Sequence, residues 1–157
     1  DLGWVLLEAL PPVVIALDQG TIRTPKDDYP KGHEGSLRRA EDLHDALRPI
    51  FLQAAAHHDL TAVVHEMPPV GARMSRPESS LLSALAVRLM SQAVLPEVPR
   101  VIVANQHSKS VLVGNGNATK KQWHEGLRPY AIHLPNEATR DAGCLGLTYL
   151  IDQERAR

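Results

Sequence analysis

A single cysteine, Cys144, rules out an internal disulfide framework and any zinc site built on several thiolates. A reducing compartment is then the default. No apolar run approaches the roughly 20 residues needed to span a bilayer. Neither charge is in excess: 17 Lys and Arg stand against 18 Asp and Glu, a formal net charge of −1. A nucleic-acid partner would therefore have to be met by locally concentrated positive charge. The eight histidines include no H-E-x-x-H motif and no pair at zinc spacing, and no Gly-Lys-Ser/Thr follows a glycine turn as in a Walker A loop. Internal repeats and low-complexity tracts are lacking too. What is there is 157 residues, 43% hydrophobic and 22% charged, which suits one ordinary globular domain with a core of its own. The chain starts at Asp1, directly in a strand-like run, as it would if residues preceded it, so the sequence is silent on a signal peptide.

Three β-prone runs open the chain, Gly3–Leu7, Pro12–Leu17 and Gly20–Thr24, separated by Pro11-Pro12 and Asp18-Gln19-Gly20, which are turn material. An antiparallel meander is expected. Residues 24–35 read as a loop. Leu37, Ala40, Leu43, Ala46, Leu47 and Ile50 recur at helical spacing and predict an amphipathic helix from Ser36 to Ala56, with Pro49 positioned to kink it. Thr61–Val64 is a buried strand ending at His65-Glu66. Ser75-x-x-Glu78 around Pro77 resembles a capping box that opens a helix through Leu95. Arg100–Ala104 is a further buried strand. Short helices flank a Gly114-Asn115-Gly116 turn. The last helix starts at Asn136 as N-cap, with Ala138, Ala142, Leu145 and Tyr149 on one face.

Chemistry has three candidate seats. Glu66 ends a buried strand, where open α/β sheets place their ligand crevices; a solvated strand-end acid is the bland alternative. Asp141 lies about 60° round the last helix from Ala138 and about 40° from Leu145, at the margin of the buried face, and Glu137 precedes it by one turn. Two carboxylates on one helical edge facing a strand-end Glu suit Mg2+ or Mn2+. Alternatively, Glu137 complements the helix dipole and Asp141 is solvated. Third, Lys109–Lys121, KSVLVGNGNATKK, combines glycines that admit a phosphate with three lysines, or is a turn between two helices. Trp123 beside it is a core anchor or a DNA contact. His57-His58-Asp59 reads as a solvated turn.

One resemblance joins these pieces. Lys109-x4-Gly114-x-Gly116-x-Ala118-x-Lys120, followed by Gln122, is similar position for position to the K-x4-G-x-G-x-A-x-K segment of RuvC-type Holliday-junction resolvases. Gly3 to Ile22-Arg23-Thr24 resembles the first hairpin of that family, Val63-Val64-His65-Glu66 the strand of its second catalytic acid, and Asp141-Ala142 its last Asp-Ala pair. The similarity runs along nearly the whole chain. It implies an α/β, ribonuclease H-like fold. Such a fold has a mixed five-stranded sheet (antiparallel meander plus parallel strands) flanked by helices, here as one domain over residues 1–157 lacking the start of its first strand.

The resemblance also implies a function: a metal-dependent endodeoxyribonuclease that cuts four-way DNA junctions by metal-activated water, working as a cytoplasmic homodimer of bacterial or phage origin. Glu66 and Asp141 resemble its metal-binding catalytic acids. Lys120 resembles the lysine near the scissile phosphate and Lys109 a second basic residue of the DNA-binding region, to which Lys121, Arg73 and Arg76 add. The sequence departs from the family at three points. The first acid would precede Asp1, so the chain alone should bind without cutting. The third ligand falls at Ala138, with Glu137 beside it as the substitute. The aromatic expected after the second acid is Pro69. A catalytically inactive branched-DNA-binding module of the same fold is the alternative. Ala16-Leu17-Asp18-Gln19-Gly20-Thr21 also resembles the phosphate-binding opening of glycerol-kinase-like sugar kinases, which would make Asp18 catalytic; the hairpin match puts Asp18 in a turn instead.

Overall fold

A computed structural model of the chain describes residues 1–10, 13–25, 28–67 and 81–157 in full, and residues 77–80 as backbone. In order, its elements are strands β1 (Leu2–Leu10) and β2 (Val13–Ile22), helix α1 (His33–His57), strand β3 (Val63–Glu66), helix α2 (Pro77–Val94), strand β4 (Arg100–Val103), helices α3 (Asn105–Val113) and α4 (Lys120–Glu125), a 3-10 turn (Arg128–Tyr130) and helix α5 (Glu137–Arg155). No described helix is long and apolar enough to cross a membrane.

The sheet differs from expectation. The described strands pair as two two-stranded sheets, β1 with β2 and β3 with β4, rather than as one sheet of five strands. One strand is lost because the second and third β-prone runs fuse. Asp18-Gln19-Gly20 has turn-forming composition, yet it stays extended inside β2, where Asp18 Oδ1 accepts the Gln19 backbone N–H at 2.8 Å. Pairing with β1 outweighs local turn propensity. Asp18 is thus an exposed strand residue, not a turn residue.

The chain divides into two compact units, Asp1–Thr21 with Ile102–Arg157, and Ile22–Val101. In the second unit α1 packs on α2. Leu43 and Leu47 are the apolar side chains of α1 that reach the core, with Ala86, Val87 and Met90 from α2, whereas Leu37 is 53% exposed despite its helical spacing. Helix α1 continues through Pro49. The proline cannot donate to the Asp45 carbonyl, but Asp45 is exposed, so water can take that bond. Strand β3 ends at His65-Glu66 as expected but starts at Val63, two residues later than the apolar run does. Arg100 ties β4 to the end of α2 by donating to the carbonyls of Leu95 and Pro96, both at 3.1 Å. The capping box expected at Ser75 lies outside the described residues.

In the first unit β1 lies along α5. Of the face expected of α5 (Ala138, Ala142, Leu145 and Tyr149) only Leu145 is buried; the side chains wholly covered are Thr139, Cys144, Leu147 and Thr148, each 0% exposed. Both threonines afford burial by bonding to their own helix: Thr139 Oγ1 donates to the Asn136 carbonyl (3.0 Å) and Thr148 Oγ1 to that of Cys144 (2.8 Å). Trp123 is a core anchor, 1% exposed, and its Nε1–H donates to Ser108 Oγ at 2.9 Å.

Candidate functional site

Two helix starts carry a cluster of charged side chains in the first unit, and each start has a capping box. At α5, Asn136 Oδ1 accepts the Thr139 N–H (3.0 Å) and Thr139 Oγ1 accepts the Asn136 N–H (3.3 Å). Asn136 Nδ2 also donates to Thr21 Oγ1 at 3.1 Å, which anchors this helix start to β2. Beside it β1 passes so close that a Cβ on Gly3 would fall on the Ala138 carbonyl, so only glycine fits there. At α4, Thr119 caps Gln122 and Gln122 Oε1 returns to the Thr119 N–H at 2.9 Å.

The Lys109–Lys121 segment owes most of its pattern to this architecture. Gly114 ends α3 with φ 73°, a left-handed cap that favours glycine, and its N–H reaches the Ser110 carbonyl. Ala118 is buried at 3% exposure. Lys120 opens α4, where a positive charge opposes the helix dipole and needs compensation.

That compensation comes from α5. Lys120 Nζ lies 2.6 Å from Glu137 Oε1 and 2.9 Å from Asp141 Oδ2, and His124 Nε2 lies 2.7 Å from Asp141 Oδ1. Lys120 and His124 are one turn apart on α4, as Glu137 and Asp141 are on α5, so two helical edges meet residue to residue. Burial, the strongest single influence, pulls the Lys120 ammonium down, but its bonds to Glu137 and Asp141 together outweigh burial and hold it above the ordinary lysine value. The hydrogen bond and charge of Lys120 hold the Glu137 carboxyl below its ordinary value. Two carboxylate oxygens thus converge on one cation. Such an oxygen pair fits Mg2+ or Mn2+, which often take only one or two protein carboxylates beside water and phosphate. Among the described residues no group of three or more His, Cys, Asp and Glu is gathered for a metal ion. Cys144 is no nucleophile: burial, with the Asp141 charge, pushes its thiol up to about 12.

No family model and no curated protein matches the sequence. Solved structures do match. One of Thermus thermophilus RuvC superposes with a TM-score of 0.71 at 16% identity, covering 97% of this chain and 87% of that one. Another, T. thermophilus RuvC in complex with Holliday junction substrate, gives 0.75 at 16% identity, covering 98% and 88%. The chain has the fold of RuvC. This is the ribonuclease H-like α/β fold, and at such low identity the likeness is one of fold.

On this RuvC fold the sequence-selected residues fall as follows. Lys120, Glu137 and Asp141 come together. Lys121 is exposed next to Lys120, and Lys109 is half-buried on α3. Ala138 is half-buried. Glu66 ends β3 in the other unit, and its carbonyl lies 3.2 Å from Nδ1 of His65. His65 is 9% exposed with no hydrogen-bond partner for Nε2 among the described residues, and desolvation holds its imidazole below the usual value. Arg73, Arg76 and Pro69 lie outside the described residues. His124 has no partner at zinc spacing in the sequence, so zinc chemistry does not point to it. Its signal was the four-residue step from Lys120, the same arithmetic that pairs Glu137 with Asp141.

Proposed function

We propose that this protein is a structure-specific endodeoxyribonuclease that cuts four-way DNA junctions using divalent cations. The observation that carries the reading is a lysine held between two carboxylates at the start of the last helix of a RuvC fold. The Holliday junction bound by T. thermophilus RuvC on the same fold points to the substrate class. Asp141 and Glu137 are the residues to hold Mg2+ or Mn2+, and the resemblance alone adds Glu66 as a metal-binding acid. A bound ion of this kind lowers the pKa of an attacking water and stabilises the leaving oxygen. Lys120 neutralises charge that develops on the phosphate. Lys109, Lys121, Arg73 and Arg76 contact the DNA backbone, which positions the substrate without reading its sequence.

The protein acts as a homodimer, one site for each of two strands. Leu81, Leu85 and Leu89 support this: they follow one another at four-residue steps along α2 and are 51%, 41% and 60% exposed, an apolar stripe suited to a second copy. The reading fits a cytoplasmic protein of a bacterium or phage.

The test is a labelled synthetic four-way junction, compared with linear duplex, in Mn2+ and in EDTA. It uses this chain and the product of its complete reading frame. Preference for the junction and Mn2+-dependent nicking by either form, lost in Asp141→Asn, supports the nuclease. Junction binding without nicking in both forms selects a non-cutting branched-DNA module. Equal binding to junction and duplex sinks both.

A further inference from the structure

The member of the charged cluster that the proposed reaction leaves without a task is His124. The two oxygens of Asp141 are divided between partners: Oδ2 faces the Lys120 ammonium at 2.9 Å, and Oδ1 lies 2.7 Å from His124 Nε2. An Nε2–H tautomer donates to Oδ1 and fixes the plane of the carboxylate, so that Oδ2 is the oxygen turned toward the cation beside it, here the Lys120 ammonium. His124 is itself held. Its side chain is 10% exposed, and its ring stacks on Trp123 with centroids 5.8 Å apart and planes at 26°.

Trp123 is fixed in turn. Its Nε1–H donates to Ser108 Oγ on α3, and that hydroxyl lies 2.6 Å from Thr148 Oγ1 on α5. Cys144 Sγ donates to the Trp123 carbonyl at 3.6 Å. Trp123, Ser108 and Thr148 are at most 1% exposed. A continuous run of buried partners therefore leaves α5 at Thr148, crosses α3 and α4, and returns to α5 at Asp141. A solvated acid would need no such framework.

We propose that His124 is a positioning residue that orients Asp141 so that Oδ2 is offered to a divalent cation. This rests on Glu137 and Asp141 being a cation-binding pair, and not on DNA cleavage. Hydrogen-bonding partners of ligating carboxylates matter in this way because a ligand free to rotate must be ordered on binding; their loss costs on the order of 10–100-fold in metal affinity.

A purely packing role for His124 is separated by two variants of the whole chain. His124→Phe keeps a flat ring on Trp123 and loses the donor. His124→Gln loses the ring and keeps an N–H that can reach Oδ1. Mn2+ affinity is read by titration calorimetry, with the thermal midpoint as the measure of folding. His124→Phe is expected to bind Mn2+ about 10–100-fold more weakly, and His124→Gln close to wild type. Wild-type Mn2+ affinity in His124→Phe overturns the proposal, as does absence of Mn2+ binding by the wild type.

Should His124→Phe fail to fold, the unaltered protein still decides. The 15N resonance of His124 Nε2 should shift as Mg2+ is added, while that of exposed His57 does not. An unmoved His124 resonance overturns the assignment. Mn2+ binding without junction nicking, by both this chain and the product of its complete reading frame, sinks the nuclease and leaves the His124 role standing.

Discussion

At the scale of single residues, Lys120 has two tasks that pull against each other. It is proposed to serve the phosphate, yet it sits where a divalent cation would meet Glu137 and Asp141. Removing its charge should therefore split metal binding from chemistry. Lys120→Met is expected to bind Mn2+ several-fold more tightly by calorimetry, since the pair loses its internal counterion. The same change should lower junction nicking by about 10²-fold through loss of transition-state charge stabilisation. Weaker Mn2+ binding in Lys120→Met would contradict the competition.

His65 gives a second residue-scale expectation, on stability. Desolvation lowers its folded-state pKa, against the rise given by the Glu66 carbonyl and with the help of Arg88. The unfolded chain then takes up a proton that the folded chain refuses, so stability falls as pH falls. The contribution is intact above the unfolded value of 6.5 and is lost progressively below it. Thermal midpoints measured from pH 7 to pH 5 should fall more steeply for wild type than for His65→Gln. Equal slopes would remove His65 as a cause.

At the scale of elements, Gly114 is the position where sequence and geometry agree most directly. Its φ of 73° lies in the left-handed region, and a Cβ there would meet nothing within 4 Å, so strain is the whole cost of a side chain. Gly114→Ala should destabilise by about 1–2 kcal/mol in urea unfolding, and Gly114→Asn by less, because asparagine tolerates that conformation. Junction affinity should change little in either, since the lysines stay in place. A larger loss of affinity than of stability would mean that the turn itself touches phosphate.

Much of this level was legible beforehand. Asn136 as the start of α5, the step from Glu137 to Asp141 and the order of elements follow from local rules that the tertiary structure respects. What was not legible depends on partners distant in sequence. Asp18-Gln19-Gly20 carries turn residues but is extended because β1 pairs with it. Leu37 matches the helical period but is exposed, because periodicity names a stripe wider than the part α2 covers. His124 joins Asp141 across 17 residues. No spacing rule links them, since their meeting is set by how α4 crosses α5.

At the scale of the whole molecule, two behaviours follow from surface rather than from the cluster. The apolar stripe of α2 should hold two copies together, so Leu85→Lys at its centre is expected to shift sedimentation toward monomer with little change in thermal midpoint. An unchanged sedimentation profile would separate the stripe from assembly. DNA affinity poses a sharper question, because a chain of net charge −1 offers no general attraction to a polyanion. If the lysines act locally, each phosphate they neutralise releases counterions and adds about −0.9 to the slope of log affinity against log salt. Lys109→Gln should then flatten that slope by about one while leaving the preference for junction over duplex intact. Glu8→Gln offers the contrast. It lies exposed on β1 and changes net charge by the same single unit in the opposite sense. A local mechanism leaves its slope at the wild-type value. A comparable change in both variants would mean that the overall field, and not the Lys109–Lys121 segment, governs binding.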